Sequence, residues 1–268
     1  MSSTNRFDAT AETRQTVLPN GLTILTREMH TAPITTFWIW YGVGGRNETP
    51  GITGISHWVE HMLFKGTPQL PAGEIFRRIN KNGGVLNGFT SLDYTAYYAT
   101  LPSDRIGIAI DIEADRMVNA RFDPDEVASE RTVIISEKQG GENHPTVHLR
   151  EAAMSAAFRI HPYRQGVIGY LSDLQAITRD DLYQHYRTYY VPNNATVVAV
   201  GDFDSDELIA KIEAAFGPIP RGAAIPAVRP VEPQQEGSGA SSCSAPARCR
   251  TSRSTTTPRR SAAPMSSH

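Results

Sequence analysis

The sequence is short of cysteine, of long apolar stretches and of net charge, and each shortage excludes a class of protein. Only Cys243 and Cys249 occur in 268 residues, which excludes a disulfide framework and a cysteine-based zinc site. No apolar run approaches the roughly 18 residues of a membrane-spanning helix, so we expect no membrane segment. The formal net charge of −2 gives no reason to expect nucleic acid or an acidic surface as a partner.

The remaining composition is that of a globular protein, with 40% hydrophobic and 20% charged residues. A chain of this length can form one large domain or two small ones. Its first segment, MSSTNRFDATAETRQTV, lacks the apolar core of a signal peptide. We therefore expect a cytoplasmic protein.

The composition changes abruptly near the C-terminus. Prolines recur from Gly217 to Pro233, as in a linker, and the chain from Gly237 onwards has five arginines but no acid, aromatic residue, Leu, Ile or Val. Such a segment cannot bury enough apolar surface to fold. A truncated or frame-shifted form of a longer protein would explain the break, and a basic interaction tail is the alternative. We predict a flexible N-terminus over 1–13, a folded domain over 14–221, a proline-rich linker over 222–236 and a disordered tail over 237–268.

Strand and helix patterns are mixed without a regular βαβ repeat, which predicts an α+β fold. TVLPNGLTIL predicts two strands and a turn, ITTFWIWYGVGG a buried strand, and VLNGFTSLDYTAYYATLP a hairpin. The aromatic residues of these strands are most simply core and sheet surface. A later strand, ATVVAVGDF, precedes a last helix, SDELIAKIEAAF. Start and stop signals predict five further helices, over 53–66, 72–82, 124–139, 146–158 and 179–190. Thr53 is the expected cap of the first. Asp123 is the expected cap of the helix over 124–139, where Glu126 would complete a capping box.

The segment TGISHWVEHMLFKGT places His57 and His61 four residues apart, on one helix face. Two neutral imidazoles in this arrangement can hold one divalent ion, and a catalytic zinc needs a third protein ligand while leaving a position for water. Glu60, at the edge of the same face, can reach that water and accept its proton. The spacing therefore fits a hydrolytic metal site.

Two histidines on a half-buried helix are also compatible with ordinary core residues, and the motif arises by chance in about one such chain in a hundred. A third ligand would separate the two interpretations. Glu137 lies in an apolar part of the helix predicted over 124–139, where an ionisable group is costly without a partner. Glu130 falls on nearly the same stripe, about 10 Å away along the axis, too far for both to bind one ion. We expect Glu137 to be the ligand, and Glu130 to have a supporting role or none.

HWVEH, followed by the Glu137 of SERTVIISE, resembles the inverted-zincin metallopeptidases of the pitrilysin/insulinase family, in particular the mitochondrial processing peptidase-like branch and its bacterial relatives. GGVLNGFTSLDYTAYY, HPYRQGVIGYLSDLQAIT and YYVPNNATVVAVGDFD also match. The resemblance extends over roughly Thr16 to Arg221. It implies the metallopeptidase domain of the processing-peptidase type, with a mixed, mainly antiparallel sheet flanked by helices.

The resemblance also implies a role for each matching residue. His57, His61 and Glu137 would bind one zinc ion per chain, Glu60 would be the general base, and Glu130 would be a carboxylate near the metal. The implied activity is a zinc-dependent endopeptidase acting on extended peptides.

The strand that would bind substrate is assigned in the same way. Asn87, Gly88 and Phe89 fall on the family's edge strand, to which the substrate backbone adds. From the residues alone, Asn87 would be a turn or strand-end residue. Gly88 stands where the family often has alanine, a small change that we expect not to abolish strand pairing.

Members of this branch carry a second domain of similar fold, and here the linker begins where that domain should start. The resemblance implies a peptide or unfolded polypeptide as substrate and a second homologous domain or subunit as possible partner. From the charge and the lack of a long apolar run, we expect neither nucleic acid nor membrane as a partner. The alternative is a non-catalytic chain that binds peptide or a partner subunit.

A second histidine pair is a weaker candidate. His144 and His148 are four residues apart and Glu151 follows, but Pro145 indicates that a helix starts between them and the family pattern assigns these residues no role. We expect His161 to be structural, and the two cysteines of the tail to be incidental.

Overall fold

One six-stranded sheet organises the part of the chain that the computed structural model describes, residues 12–235. The strands are β1 (Arg14–Val17), β2 (Thr23–Glu28), β3 (Ile34–Tyr41), β4 (Val85–Thr90), β5 (Thr95–Pro102) and β6 (Ala195–Gly201). The helices are α1 (Ile55–Met62), α2 (Glu74–Lys81), α3 (Gly107–Asn119), α4 (Pro124–Glu142), α5 (Pro145–Ala157), α6 (Leu171–Ala176), α7 (Arg179–Tyr189) and α8 (Ser205–Phe216).

The strand order is β1-β2-β6-β3-β5-β4, so β1 and β4 form the two edges. All neighbours pair antiparallel except β2 and β6, which run parallel. The predicted α+β fold with a mixed, mainly antiparallel sheet is therefore confirmed. Both predicted hairpins, β1–β2 and β4–β5, also form.

The two faces of the sheet have different surroundings. On β3, Phe37 and Ile39 are fully buried, whereas the alternate residues Trp38 and Trp40 are half-buried on the opposite face. Trp38 stacks there on Tyr98 of β5, with ring centroids 4.3 Å apart. Helix α1 packs against β4 and β5, and helices α4 and α7 pack in turn on α1. The helices thus bring the HWVEH motif to the β4 end of the sheet.

The start of α1 differs from the prediction. Thr53 does not cap this helix, because Gly54 precedes it with a left-handed backbone (φ 89°) that turns the chain away from Thr53. The Thr53 hydroxyl instead donates to Asp173 at 2.8 Å and accepts from the backbone N–H of Tyr170 at 2.9 Å. The helix also ends at Met62 rather than at Gly66, and a turn connects the two.

Helix α4 begins as predicted but ends later. The Asp123 side chain accepts from the N–H groups of Asp125 and Glu126, whereas the carboxylate of Glu126 faces Lys65 at 3.5 Å and completes no capping box. The helix then continues through Gly140 and Gly141 to Glu142. A glycine costs a helix only about 1 kcal/mol, so this pair weakens the helix without ending it.

The segment after α8 has no regular secondary structure up to residue 235, yet part of it lies against the domain. The carboxylate of Glu232 accepts from the backbone N–H groups of Arg159, Ile160 and His161 at 2.6, 3.0 and 2.8 Å. Ile225 packs against the core. The predictions for 1–11 and for the tail 237–268 fall outside the described residues.

Within residues 12–235, none of the helices combines the length and the apolarity that crossing a bilayer requires.

Candidate metal centre

Helix α1 brings the imidazole rings of His57 and His61 into contact. The Nε2 atoms of His57 and His61 lie 3.2 Å apart, and the side chains are only 12% and 22% exposed. Burial and the neighbouring His61 lower the pKa of His57 to about 4. At neutral pH His57 is therefore uncharged, the form in which an imidazole binds a metal ion.

Glu137 of α4 completes a triangle with these two nitrogens. Its Oε2 lies 3.8 Å from Nε2 of His57 and 3.7 Å from Nε2 of His61. A tetrahedral zinc ion with bonds of about 2.0–2.1 Å places its ligand atoms about 3.3–3.4 Å apart. Movements of a few tenths of an ångström would give that geometry, so this donor set fits a zinc ion. Among the described residues, this is the group of histidines and carboxylates close enough to hold one.

Glu130 lies behind the triangle rather than in it. Its Oε1 is 2.7 Å from Nδ1 of His61, on the far side of the ring from the metal group, and its other oxygen pairs with Lys65. Burial raises the pKa of Glu130, but hydrogen bonds from His61 and Lys65 outweigh burial and hold it below its usual value. A carboxylate in this position fixes the orientation and tautomer of a ligating histidine.

The pKa of His61 responds to the same carboxylates. Burial lowers it, but the hydrogen bond to Glu130 and the charges of Glu60, Glu130 and Glu137 outweigh burial and raise it. These contacts increase the basicity of the ring that faces Glu137.

Glu60 is buried beside the triangle, and burial raises the pKa of its carboxyl group. Its Oε2 accepts a hydrogen bond of 2.6 Å from the hydroxyl of Thr90, at the end of β4. A cleft of about 380 Å³ is lined by His57, Glu60, His61, Gly88, Phe89, Thr90, Glu137, Val167 and Ile168. The three candidate ligands, the candidate base and part of the candidate substrate strand therefore share one cavity.

Strand β4 pairs with β5 on one side and has no other strand partner among residues 12–235. Asn87 is exposed, and Gly88 lies so close to the core that an added Cβ would come within 2.9 Å of the Tyr97 ring and 3.2 Å of Phe64. A second cleft, of about 480 Å³, is lined by Asn87 of β4 and by Phe64 and Phe76. The two clefts share Glu60 and His61, and both are lined by residues of β4.

Three residues that anchor α1 were missed by the sequence patterns. The carboxylate of Glu48 accepts from the N–H groups of Gly54 and Ser56 at 2.8 and 2.9 Å. Asp173 holds Thr53, and Nε2 of His185 lies 3.1 Å from the Ser56 hydroxyl. All three lie outside the motif in sequence, and no local pattern links them to it.

The second histidine pair does not form a metal site with Glu151. Nε2 of His148 bonds to the backbone carbonyl of Glu142 at 2.7 Å, while Glu151 faces Lys138 at 4.0 Å. The His161 ring accepts from the N–H of Tyr163 and so caps a short turn. These contacts are structural.

Comparison with known families identifies the fold and its class. A sequence model of the insulinase family, peptidase family M16, matches residues 23–170. The chain belongs to the insulinase family of peptidases. A second model of this group, the peptidase M16 inactive domain, matches residues 176–243. The matched range 23–170 includes all of the candidate site residues.

Relatives of this M16 chain carry consistent names. An uncharacterized zinc protease of Mycobacterium leprae is 34% identical over 76% of this chain and 46% of its own length. A probable mitochondrial-processing peptidase subunit beta of Arabidopsis thaliana is 31% identical over 81% of this chain and 41% of its own length. The crystal structure of a protease from Helicobacter pylori superposes with a TM-score of 0.83, at 31% identity, over 85% of this chain and 56% of that chain. The chain thus spans about half the length of the relatives it matches, and it is a zinc protease-like domain.

Proposed function

We propose that this chain is the metal-binding part of a zinc-dependent endopeptidase that hydrolyses peptide bonds in extended peptides. The observation that carries the proposal is the triangle of His57, His61 and Glu137, which opens into the cleft that also contains Glu60. The triangle accounts for one zinc ion per chain. The names of its relatives support the same metal and the same reaction class.

The zinc ion, when bound, would supply Lewis-acid polarisation of the scissile carbonyl and of a water molecule. Glu60 then accepts a proton from the attacking water and delivers it to the leaving amine. Glu130 keeps Nδ1 of His61 engaged, so that the Nε2 lone pair faces the other two ligands. Lys65 in turn keeps Glu130 charged.

The free edge of β4 is the proposed substrate strand. A peptide that adds to this edge gains main-chain hydrogen bonds whatever its sequence, while its alternate side chains enter the adjoining clefts. The lack of a side chain at Gly88 lets β4 lie close to the core at the centre of the cleft. Unstructured peptides are therefore the proposed substrate class.

We further propose that full activity requires a second homologous domain or a partner chain. This is supported by the share of each relative that the chain covers, 46% for the mycobacterial protein and 41% for the Arabidopsis subunit. The alternative is a non-catalytic peptide-binding or partner subunit. It is supported by the free edge of β4 and by the description of the Arabidopsis relative as a subunit. A cytoplasmic location remains a prediction from the sequence.

Zinc content and peptide cleavage test these proposals together. We expect one zinc per chain by atomic emission, loss of zinc in His61→Ala, and loss of cleavage with retained zinc in Glu60→Gln. Cleavage should be measured on an unstructured fluorogenic peptide, with and without a separately expressed M16 inactive domain. Zinc binding without cleavage under either condition would favour the subunit alternative, and absence of zinc would overturn the metal site.

A further inference from the structure

The hydrogen bond between Thr90 and Glu60 gives the two oxygens of the candidate base different surroundings. The Thr90 hydroxyl lies 2.6 Å from Oε2 of Glu60. An ionised carboxylate has no proton to give, so the hydroxyl is the donor in this bond. Oε2 is thereby engaged before any substrate arrives.

Thr90 is itself held in place from the core side. The hydroxyl of fully buried Thr95 donates to the carbonyl of Val43 at 3.0 Å and lies 3.4 Å from the Thr90 hydroxyl. Thr90 and Thr95 are also directly paired across strands β4 and β5. Strand pairing thus fixes the Thr90 backbone next to Thr95, and the one proton of the Thr90 hydroxyl is given to Glu60.

We propose that Thr90 is a positioning residue for the peptidase reaction, reserving Oε2 of Glu60 so that Oε1 carries the transferred proton. The inference rests on the proposed function. In the first transfer an O–H bond of the attacking water breaks and an O–H bond forms at Oε1. In the second, that bond breaks and an N–H bond forms on the leaving amine, which returns Glu60 to its ionised state.

The location of Thr90 gives the contact a second consequence. Thr90 is the last residue of β4, the strand whose Gly88 and Phe89 line the same cleft as Glu60. A peptide paired to β4 would then be held by the same strand whose last residue, Thr90, binds the Glu60 carboxylate. Thr90 thus sets the position of the base relative to the scissile bond.

The first test needs neither zinc nor turnover. Crystal structures of the metal-free full chain should be compared for the wild type, Thr90→Val and Thr90→Ser. Valine keeps the shape of threonine and removes the donor, whereas serine keeps the donor. We expect a single Glu60 orientation in the wild type and in Thr90→Ser, and a rotated or divided Glu60 carboxylate in Thr90→Val. An unchanged Glu60 in Thr90→Val would overturn the proposal.

The second test uses zinc-loaded protein and a phosphinic peptide, whose tetrahedral oxyacid resembles the hydrolytic transition state. We expect Thr90→Val to bind it about 10-fold more weakly and to lower kcat by about 10- to 100-fold. KM and zinc affinity should stay within about twofold, and Thr90→Ser should restore both losses. Thr100→Val is the matched control, because its hydroxyl bonds to Thr36 and lies outside the two clefts.

The possible failures are distinguishable. A wild-type chain that cleaves no peptide, even with the separately expressed M16 inactive domain, contradicts the proposed peptidase function, whereas the Glu60 orientation still tests Thr90. Loss of zinc or unfolding in Thr90→Val, or failure of Thr90→Ser to restore inhibitor binding, would assign Thr90 a merely structural role and overturn the proposal.

Discussion

Helix α4 carries its own start signal, whereas helix α1, which supplies the other half of the candidate metal site, depends on side chains from distant parts of the chain. Asp123 caps the 19-residue α4, and Pro124 occupies its first position. The eight-residue α1 begins at Gly54 without a side-chain cap of its own. Its first N–H groups are bound by Glu48, whose carboxylate is buried.

The two helices therefore place the candidate metal ligands by different means. An isolated helix of eight residues is marginal in water, so packing and imported contacts must hold α1 in place. The spacing of His57 and His61 is a local property of that helix. Their distance from Glu137 depends on how the two helices are docked, and hence on Glu48 and its neighbours.

Replacing Glu48 should have the largest effect. Glu48→Ala leaves the N–H groups of Gly54 and Ser56 buried without an acceptor, and we expect it to lower the free energy of unfolding by about 3 kcal/mol. Zinc affinity should fall as well. Asp123→Ala is the matched control at the start of α4, with an expected loss of about 1 kcal/mol and unchanged zinc affinity. Urea unfolding and competition with a zinc chelator measure both, and equal losses in the two variants would contradict the comparison.

We expect Glu48 to make the free energy of unfolding depend on pH. Burial raises the pKa of Glu48 to about 7, in spite of the N–H donors from Gly54 and Ser56. A carboxyl whose folded pKa is raised binds its proton more tightly in the folded state, so stability falls as pH rises from about 4.5 to about 7 and is then constant.

We expect the wild type to lose about 2 kcal/mol relative to Glu48→Gln between pH 5 and pH 8. Taking the difference between the two proteins cancels the titration of groups that they share. Urea unfolding of both metal-free proteins at several pH values measures this difference in the free energy of unfolding. A wild type that gains stability relative to the variant as pH rises would contradict the assignment.

On α4, replacing Glu130 tests its role behind His61. Glu130→Gln keeps a hydrogen-bond acceptor but removes the charge, and we expect zinc affinity to fall about 10-fold. Glu126→Gln is the matched control, since Glu126 lies 3.5 Å from the same Lys65 but touches no candidate ligand. Chelator competition should separate the two variants, and equal zinc affinities would show that Glu130 does not act on His61.

The smallest expected effect lies at the end of α4. Gly140 is helical with open space around it, so Gly140→Ala should stabilise the chain by about 0.7 kcal/mol and leave zinc affinity unchanged. Gly66→Ala is the opposite control, because φ is 102° there and a Cβ would meet the Leu70 carbonyl at 2.4 Å. Thermal unfolding of both variants checks the signs, and destabilisation by Gly140→Ala would mean that α4 is strained at its end.

Much of the fold could be predicted because its signals are local. The apolar run ITTFWIWYGVGG predicted a buried strand, which is β3, and Asp123 with Pro124 predicted the start of α4. The short helix α6 was not predicted, and Thr53 was wrongly assigned as a cap. The Thr53 hydroxyl instead binds the side chain of Asp173 in α6, 120 positions away. No local pattern carries that contact.

By itself, the sequence determined the two imidazoles on one helix face, the carboxylate beside them and the strand pattern that leads to β4, because each depends on residues a few positions apart. Only the tertiary structure decided that Glu48 caps α1, that Ser56 meets His185 and that Thr90 holds Glu60. Those contacts join residues up to 129 positions apart. They form because polar groups that leave water on folding need hydrogen-bond partners, and tertiary packing supplies those partners.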